Sequence, residues 1–285
     1  MRRPSRTLRA LVVAVLGTVV VPLAACGSSG SASRLSAEAQ QAVTEGAEFL
    51  QANIDQIDSL HLSGLDHIYR RWDVEPLSSF GAAASAAADR IPPSSSGVPT
   101  EEQALARLVD PARRVPPAGT AALPDTSRVM VSGLYCDVRP LTDDDLAAWQ
   151  WELGVGGYGP THVLLAWFFM EDLGCEDPRA ASLAEEAVQL VAAELGSRAS
   201  TSPLELAVDD LSVEQIVVLA EAGRADLVGS GWVDAIVAAQ RDDGRWQWRG
   251  PLAEPDTFDW HATALAVWAL NALGGEGKPE AWVRR

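Results

Sequence analysis

Two adjacent acidic residues, Asp209 and Asp210, are the sharpest candidates for chemistry in this chain. They stand in the stretch AVDDLS, at the predicted start of an apolar helix. A carboxyl group at neutral pH is normally ionised, so a catalytic proton donor would need neighbours that keep it protonated. Carboxylates in the first turn of a helix also complement the helix dipole without any further role. Both roles are therefore open.

Two histidines, His162 and His261, stand at the starts of other apolar runs. Each can face a cavity mouth shared by several helices, or can pack as an ordinary hydrogen-bonded histidine. Three tryptophans near the second histidine, Trp246, Trp248 and Trp260, can form an aromatic wall for a cationic ligand or a sugar. Packing between helices is the alternative role for them. We treat His162, Trp248, Trp260 and His261 as candidates for lining a cavity.

Residues 1–25 have the organisation of an export signal. Arginines precede a short apolar run, Leu11 to Val21, which falls short of the ~20 residues that a spanning helix needs. The run ends at LAACG, which resembles the bacterial lipobox and implies cleavage before Cys26 and lipid attachment to its sulfur. An ordinary signal peptide with an incidental cysteine is the alternative. Residues 26–34 are rich in Gly and Ser and indicate a flexible tether.

The charge of the chain excludes nucleic acid as a partner. The formal net charge is −17, and the leader contains four arginines and no acidic residue. Without the leader, 18 basic residues face 39 acidic ones, a net charge of −21. Such a surface repels both nucleic acid and anionic headgroups. We therefore expect the membrane to be contacted through the lipid anchor, on the extracytoplasmic side of the cell membrane.

Two cysteines remain after Cys26, namely Cys136 and Cys175. An even pair in an exported domain usually forms a disulfide. Thiolate metal ligands are the alternative, but neither cysteine has a C-x-x-C or C-x-x-H partner nearby. The chain also lacks G-x-S-x-G, Walker A and H-E-x-x-H motifs. We expect a Cys136–Cys175 disulfide, no metal ion and no cofactor.

Helices that could position these residues follow a repeat. The runs THVLLAWFFMEDLG and HATALAVWALNALG align at an offset of a hundred residues, with DLSVEQIVVLAEAG halfway between them. Each run is apolar on almost all sides, which is typical of a helix surrounded by others. Amphipathic helices are predicted between them, at 178–195 and 225–240. A helix pair every ~50 residues is typical of stacked α/α units.

The repeat weakens at both of its margins. An alanine run and seven prolines mark residues from about 80 to 128, and we predict a long irregular segment there, with only 101–109 helical. A divergent helix pair is the alternative. The residues after Gly274 are enough to begin one more outer helix.

Gln240, Gly244 and Trp246, in the spacing Q-x-x-x-G-x-W, are followed by D-x-H-x-T-A-L-A. This pattern resembles the repeat of squalene-hopene-type terpene cyclases and protein prenyltransferase β-subunits, and Gln150 and Gly154 match its first two positions. In that superfamily the glutamine bonds a neighbouring helix end and the aromatic residue stacks beneath it. The resemblance implies a structural role for these five residues.

The same resemblance implies an all-α fold for residues 35–285, an α/α toroid with an inner ring of helices inside an outer ring. Six pairs of ~50 residues would need ~300 residues, so we expect an incomplete toroid.

Two catalytic motifs of the superfamily can be compared with this sequence. Class II terpene cyclases protonate their substrate with the middle acid of a D-x-D-D motif; Asp209 and Asp210 match its last two positions, but Ala207 replaces the first. Prenyltransferases bind zinc through the histidine of D-x-x-H. The sequence D-x-H ending at His261 is similar, but no D-x-C motif supplies the other ligands. The chain therefore resembles a toroid that has lost the family's catalytic set.

We expect an exported, lipid-anchored protein that binds an apolar, isoprenoid-like molecule or an envelope protein. One alternative is an isoprenoid-processing enzyme of the terpene cyclase type, with Asp209 and Asp210 as catalytic residues. The other is a carbohydrate-active protein, because α/α toroids also host glycosidases and lyases. That alternative requires two carboxylates across the cavity at glycosidase spacing.

Overall fold

The structure is a computed structural model that describes residues 35–91, 100–110, 112–113, 123–200, 208–247, 260–274 and 277–284. Within these ranges the chain forms α-helices and short 3-10 helices and no strand, which confirms the all-α class. The signal peptide, Cys26 and the tether lie outside the described residues. None of the described helices is both long enough and apolar enough to cross a membrane.

Eleven α-helices occur in the described part of the chain. They are α1 (Ala37–Ala52), α2 (Ser59–Trp72), α3 (Phe80–Arg90), α4 (Glu101–Leu105), α5 (Asp125–Leu134), α6 (Asp143–Val155), α7 (Tyr158–Leu173), α8 (Pro178–Ser200), α9 (Asp210–Glu221), α10 (Trp232–Ala238) and α11 (Trp260–Gly274).

Side-chain caps fix where several of these helices begin. Ser36, Asp58 and Asp209 each accept a hydrogen bond from a backbone N–H in the first turn of α1, α2 and α9. Thr142 and Asp145 form a reciprocal capping box at the start of α6. Each cap satisfies a backbone donor that has no partner within the helix.

Six helices contact one another in a closed sequence of neighbours. α2 packs on α4, α4 on α5, α5 on α7, α7 on α9, α9 on α11, and α11 again on α2. α7, α9 and α11 are apolar on nearly every side, as the sequence indicated, because each is covered by neighbours. The other helices add a second layer: α1 packs on α11, α3 on α2, and α6 and α8 on α7.

The predicted irregular segment at about 80–128 requires a correction. Phe80–Arg90 is a helix, and its Phe80, Ala84 and Ala88 are buried against the neighbouring α2. Alanine has the highest intrinsic helix propensity, and its small side chain allows close packing of two helices. A short helix at Glu101–Leu105, continued by a 3-10 turn at 106–108, agrees with the expected helical stretch.

The predicted disulfide is confirmed. Cys136 follows α5 and Cys175 follows α7, and their Cα atoms are 6.1 Å apart. The two helices approach very closely, since a Cβ atom on Gly133 would lie 2.3 Å from the carbonyl oxygen of Ala166. The disulfide therefore joins the ends of two helices that are already in contact.

The Gln-Gly-Trp stretch after α10 is fastened to two other helices. The side-chain amide of Gln240 donates to the carbonyl oxygens of Ala42, at 2.9 Å, and Gly244, at 2.8 Å. Trp246 is fully buried, and its indole donates to the carbonyl of Ile236 at 2.6 Å. Its backbone N–H donates to the Thr263 hydroxyl at 3.1 Å. These contacts tie the connection between α10 and α11 to α1.

Gln150 and Gly154 do not share that environment. Both lie inside helix α6, and Gln150 is exposed. A Cβ atom on Gly154 would meet no atom within 4 Å. Their spacing matches that of Gln240 and Gly244, but the helix continues through both residues. Gln150 therefore does not make the contacts that Gln240 makes from a loop.

This difference leads to opposite predictions for two glycine substitutions. Gly244 has φ +83° and its Cβ would lie 2.6 Å from the Glu45 carbonyl oxygen, so Gly244→Ala is expected to lower the free energy of unfolding by about 2 kcal/mol. Gly154→Ala is expected to raise it by up to about 1 kcal/mol, because alanine favours a helix interior. Urea unfolding of both variants measures the two effects. Equal losses would contradict the distinction between the two motifs.

The described tail residues 277–284 form no helix, contrary to the expected start of an outer helix. Instead the tail lies across α2: Arg284 pairs with Asp66, and Arg70 donates to the Ala281 carbonyl at 2.8 Å. Trp282 stacks on His67 with ring centroids 3.9 Å apart. The tail is therefore held by charged contacts and one stacked aromatic side chain, and not by helical hydrogen bonds.

Candidate functional site

A cavity of about 390 Å³ lies among the helices of the closed sequence. Its walls come from α2, α4 with the 3-10 turn that follows it, α5, α7, α9 and α11, and Trp282 of the tail also lines it. The apolar lining residues are Leu65, Ile68, Leu105, Leu108, Met130, Leu165, Phe169, Val217, Val218, Ala264, Leu265, Trp268 and Trp282. The volume is in the range of small-molecule sites.

The polar lining residues belong mainly to the first turns of these helices. His61 is near the start of α2, Tyr158 and His162 of α7, Asp210 and Glu214 of α9, and His261 of α11. At least three of these groups approach closely, because ligand atoms of Asp210, Glu214 and His261 all lie within 4.8 Å of one another. The starts of α9 and α11 therefore meet at one polar end of the cavity.

Aromatic residues farther along three of the helices meet at Trp282. Its ring centroid is 4.8 Å from that of Trp268 on α11 and 5.9 Å from that of Phe169 on α7. His67 on α2 stacks on the Trp282 ring itself. His261 and Trp268 are seven residues apart, so about 10 Å of helix separates the polar end from this aromatic floor. The cavity is thus polar at one end and apolar at the other.

Asp210 is the centre of the polar end. Its carboxylate lies 2.9 Å from Nδ1 of His261 and accepts a hydrogen bond of 2.8 Å from the Tyr158 hydroxyl. Burial alone would raise the pKa of Asp210, but the hydrogen bond and charge of His261, with the Tyr158 bond, outweigh it and lower that pKa. Asp210 is therefore ionised at neutral pH. The same carboxylate and burial raise the pKa of the Tyr158 hydroxyl.

Glu214 lies one helical turn after Asp210 and is 7% exposed. The Thr161 hydroxyl donates a hydrogen bond to its carboxyl group, and Nε2 of His162 is 3.9 Å away. Burial raises the pKa of Glu214 to about 7, although the Thr161 bond and the charge of His261 act in the opposite direction. Near neutral pH this carboxyl therefore exists in both protonation states.

Two of the histidines are held neutral by their surroundings. Burial, together with the charge of His261, lowers the pKa of His162 to about 4. Burial also lowers the pKa of His61, although Asp58, 2.8 Å from its Nδ1, acts in the opposite direction. A neutral imidazole offers a lone pair, so His162 can accept a hydrogen bond or bind a metal ion.

The structure separates the two acidic residues that the sequence singled out. Asp210 faces the cavity, whereas Asp209 caps α9 through the Ser212 N–H and pairs with Arg198 at 2.8 Å. Asp209 is not among the cavity-lining residues. Only the second of the pair is thus placed for contact with a ligand.

The other candidates also fall into different places. His162 and His261 line the cavity, as expected of cavity candidates. Trp260 packs edge-on against His61 at 4.0 Å, behind the lining, and Trp246 is buried between helices. Trp248 lies outside the described residues. The aromatic wall of the cavity is instead formed by Phe169, Trp268 and Trp282.

His61, Tyr158 and Glu214 also line the site and were not predicted from the sequence. A signal for Glu214 was present, because Asp210 and Glu214 have the i, i+4 spacing that places both carboxylates on one helix face. His61 and Tyr158 carry no comparable pattern. They become functional candidates only because α2 and α7 begin beside α9 and α11 in space.

The position of the two carboxylates does not suit glycoside hydrolysis. Asp210 and Glu214 occupy one face of one helix, rather than opposite walls of the cavity. Glycosidase carboxylates flank the scissile bond, about 5 to 9.5 Å apart. Among the described lining residues no other carboxylate faces them across the cavity.

The polar cluster could instead hold a cation or move a proton. Three groups of the cluster each offer one metal-binding atom within a small volume. Glu214 could also give a proton to, or accept one from, a molecule in the cavity, since its pKa is close to neutral.

Comparison with protein-family models, with curated proteins and with solved structures found no match to this chain.

Proposed function

We propose that this protein is an exported, lipid-anchored α/α toroid that binds an apolar, isoprenoid-like molecule with a polar end. The observation that carries the proposal is the cavity, whose wall is apolar and whose polar groups gather where the helices begin. The closed sequence of contacts from α2 through α11 and back supports the toroid. Attachment through Cys26 rests on the leader sequence, and the disulfide agrees with an oxidising compartment.

The apolar wall supplies the affinity in this proposal. Each methylene group that leaves water contributes about 0.8 kcal/mol, so affinity should rise with chain length. The affinity should stop increasing once the ligand is long enough to reach Trp282 at the apolar end of the cavity. A branched isoprenoid suits a wall that mixes flat aromatic and aliphatic side chains.

The polar end selects the head group. Asp210 and Glu214 face the same space, so an anionic head group would be repelled. A hydroxyl or amine that donates a hydrogen bond fits this end better. We therefore expect an isoprenoid alcohol to bind more tightly than the corresponding acid.

Cavity filling tests the proposal. The apolar fluorescent amine N-phenylnaphthylamine serves as the probe, and farnesol competes with it. Ala264 lines the cavity, so Ala264→Trp is expected to weaken binding of both by at least tenfold, equivalent to about 1.4 kcal/mol. Ala82→Trp, at an exposed position of α3, is the matched control and should bind as the wild type does.

Equal probe binding by the wild type and Ala264→Trp would contradict a ligand in this cavity, provided that thermal melts show both to be folded. Mass spectrometry of small molecules that co-purify with the anchored protein gives a second, independent measurement. A protein that carries none and binds no probe would favour the docking of an envelope protein instead.

A second candidate function is acid catalysis on an isoprenoid. It is favoured by Glu214, a buried carboxyl with a pKa near 7 beside an apolar cavity. In this proposal Glu214 takes the role of acid that the resemblance to class II terpene cyclases assigned to Asp209. Turnover of an isoprenoid substrate should be lost in Glu214→Gln and retained in Asp209→Asn. The reverse result would exclude Glu214 as the acid.

A further inference from the structure

We infer that Asp210, Glu214, His261 and His162 form a binding site for a divalent transition-metal ion, with zinc as the best fit. In the sequence, only the likeness of D-x-H at His261 to a zinc-binding motif pointed to a metal, and no second ligand was predicted. The inference does not depend on an apolar ligand in the cavity. It concerns the polar end alone.

Three neighbouring helices supply the ligands. α9 contributes both carboxylates, Asp210 and Glu214, one turn apart on the same face. α11 contributes His261 and α7 contributes His162. The ligand atoms of Asp210, Glu214 and His261 are within 4.8 Å of one another, and Nε2 of His162 is 3.9 Å from Glu214.

These separations suit a small tetrahedral ion. Zinc lies about 2.0 to 2.2 Å from nitrogen and oxygen ligands, which places the ligand atoms about 3.4 Å apart. The observed distances lie on both sides of that value. Nδ1 of His261 is 2.9 Å from the Asp210 carboxylate, and the ligand atoms of Asp210, Glu214 and His261 are at most 4.8 Å apart.

Groups around the cluster hold the carboxylates in position. The Tyr158 hydroxyl donates to Asp210, and the Thr161 hydroxyl donates to Glu214. Such outer hydrogen bonds orient the ligands in metal sites and commonly change the affinity by about 10- to 100-fold. Both donors belong to the first turn of α7, which also carries His162.

The local charge also favours a cation. Glu214 is almost fully buried, and its carboxyl oxygen lies 3.9 Å from Nε2 of His162. A buried carboxylate is costly to ionise unless positive charge lies beside it, and a divalent ion supplies such charge to Asp210 and Glu214 together. Two imidazoles and two carboxylates favour zinc over magnesium and calcium, which prefer oxygen ligands alone.

Calorimetric titration of zinc chloride into the chelator-treated protein, carrying no polyhistidine tag, tests the site. We expect one zinc ion per chain. Asp210→Asn, Glu214→Gln and His261→Gln should each weaken binding by more than about tenfold. Asp209→Asn is the matched control: asparagine still caps the helix, and the residue does not line the cavity.

Cobalt(II) provides a second readout, because a tetrahedral site with nitrogen and oxygen ligands gives visible absorption bands. These bands should appear in the wild type and in Asp209→Asn and be absent in Asp210→Asn. Failure of the folded wild type to bind zinc would overturn the inference. Binding that survives both Asp210→Asn and His261→Gln would also overturn it. Either result leaves the cavity proposal to its own probe-binding test.

Discussion

Trp282→Ala is expected to lower the free energy of unfolding by about 3 to 5 kcal/mol, the usual cost of deleting a large aromatic side chain from a core. Trp282 is 8% exposed and touches three aromatic neighbours, His67, Phe169 and Trp268. Its loss would also remove the floor of the cavity. No other side chain in the described tail joins α2, α7 and α11 through aromatic contacts.

The stack of Trp282 on His67 is an aromatic contact rather than a cation–π contact. Burial, with the charges of Arg70 and Arg71, lowers the pKa of His67 well below its ordinary value. The ring is therefore neutral at neutral pH. The centroid of the His67 ring is 3.9 Å from that of Trp282, and the two ring planes differ by only 10°. Such stacking stabilises the folded protein beyond the contribution of the buried area.

Urea unfolding measures the effect, and Trp151→Ala is the matched control. Trp151 is 64% exposed on α6, so the same substitution there should change stability by less than about 0.5 kcal/mol. Similar losses in both variants would contradict an anchoring role for Trp282. Removal of the floor should also let longer isoprenoid alcohols compete for the probe, a result that Trp151→Ala should not give.

Glu214→Gln is expected to gain stability relative to the wild type as the pH rises. The difference in unfolding free energy between the variant and the wild type should shift in favour of the variant by about 3 kcal/mol between pH 4 and pH 8. The ordinary pKa of the carboxyl is 4.5, and burial raises it to about 7 in the folded protein. Glutamine occupies the same volume without a charge. The substitution therefore removes the cost of ionising a buried acid.

The sign follows from where the proton is bound. Below pH 4.5 the carboxyl is protonated in both the folded and the unfolded chain, so it contributes no penalty. As the pH rises from 4.5 to 7, the unfolded chain releases the proton freely while the folded protein retains it. Wild-type stability is therefore lost across this window, and the loss is complete above pH 7.

The measurement is the difference in unfolding free energy between Glu214→Gln and the wild type at several pH values, with a chelator present so that no metal compensates the charge. His61, Tyr158, His162, Asp210 and His261 line the same cavity in both proteins, so the part of their titrations that does not depend on the Glu214 charge cancels in the difference. Glu186→Gln, exposed on α8, should show no such trend. A difference that stays constant from pH 4 to pH 8 would contradict the raised pKa.

The sequence was sufficient for the helices whose patterns are local. Apolar periodicity and capping residues depend only on neighbours along the chain, so α7, α9 and α11 were expected close to where they occur. The disulfide was predictable because only two cysteines remained to pair. Where local signals conflicted, prediction failed: prolines near residue 92 hid the helical preference of the alanine run at 80–90.

The matching spacings of Gln150–Gly154 and Gln240–Gly244 show a second limit of sequence. A spacing does not reveal whether the chain there is a helix or a loop. In α6 the helix runs on through Gly154, whereas Gly244 takes φ +83° and lies against α1. Only the second glycine has a conformation that other residues rarely adopt.

What the sequence alone determined was the apolar helices α7, α9 and α11, the cysteine pair and the presence of acids and histidines at helix starts. Which of those groups meet was decided by tertiary structure. Asp209 and Asp210 are adjacent in sequence, but one caps a helix and the other faces a cavity, because successive residues at a helix start point in different directions. Glu214 meets His261 only because α9 packs on α11. The contact joins residues distant in sequence, and the rotation of each helix about its axis is fixed by packing against its neighbours rather than by its own residues.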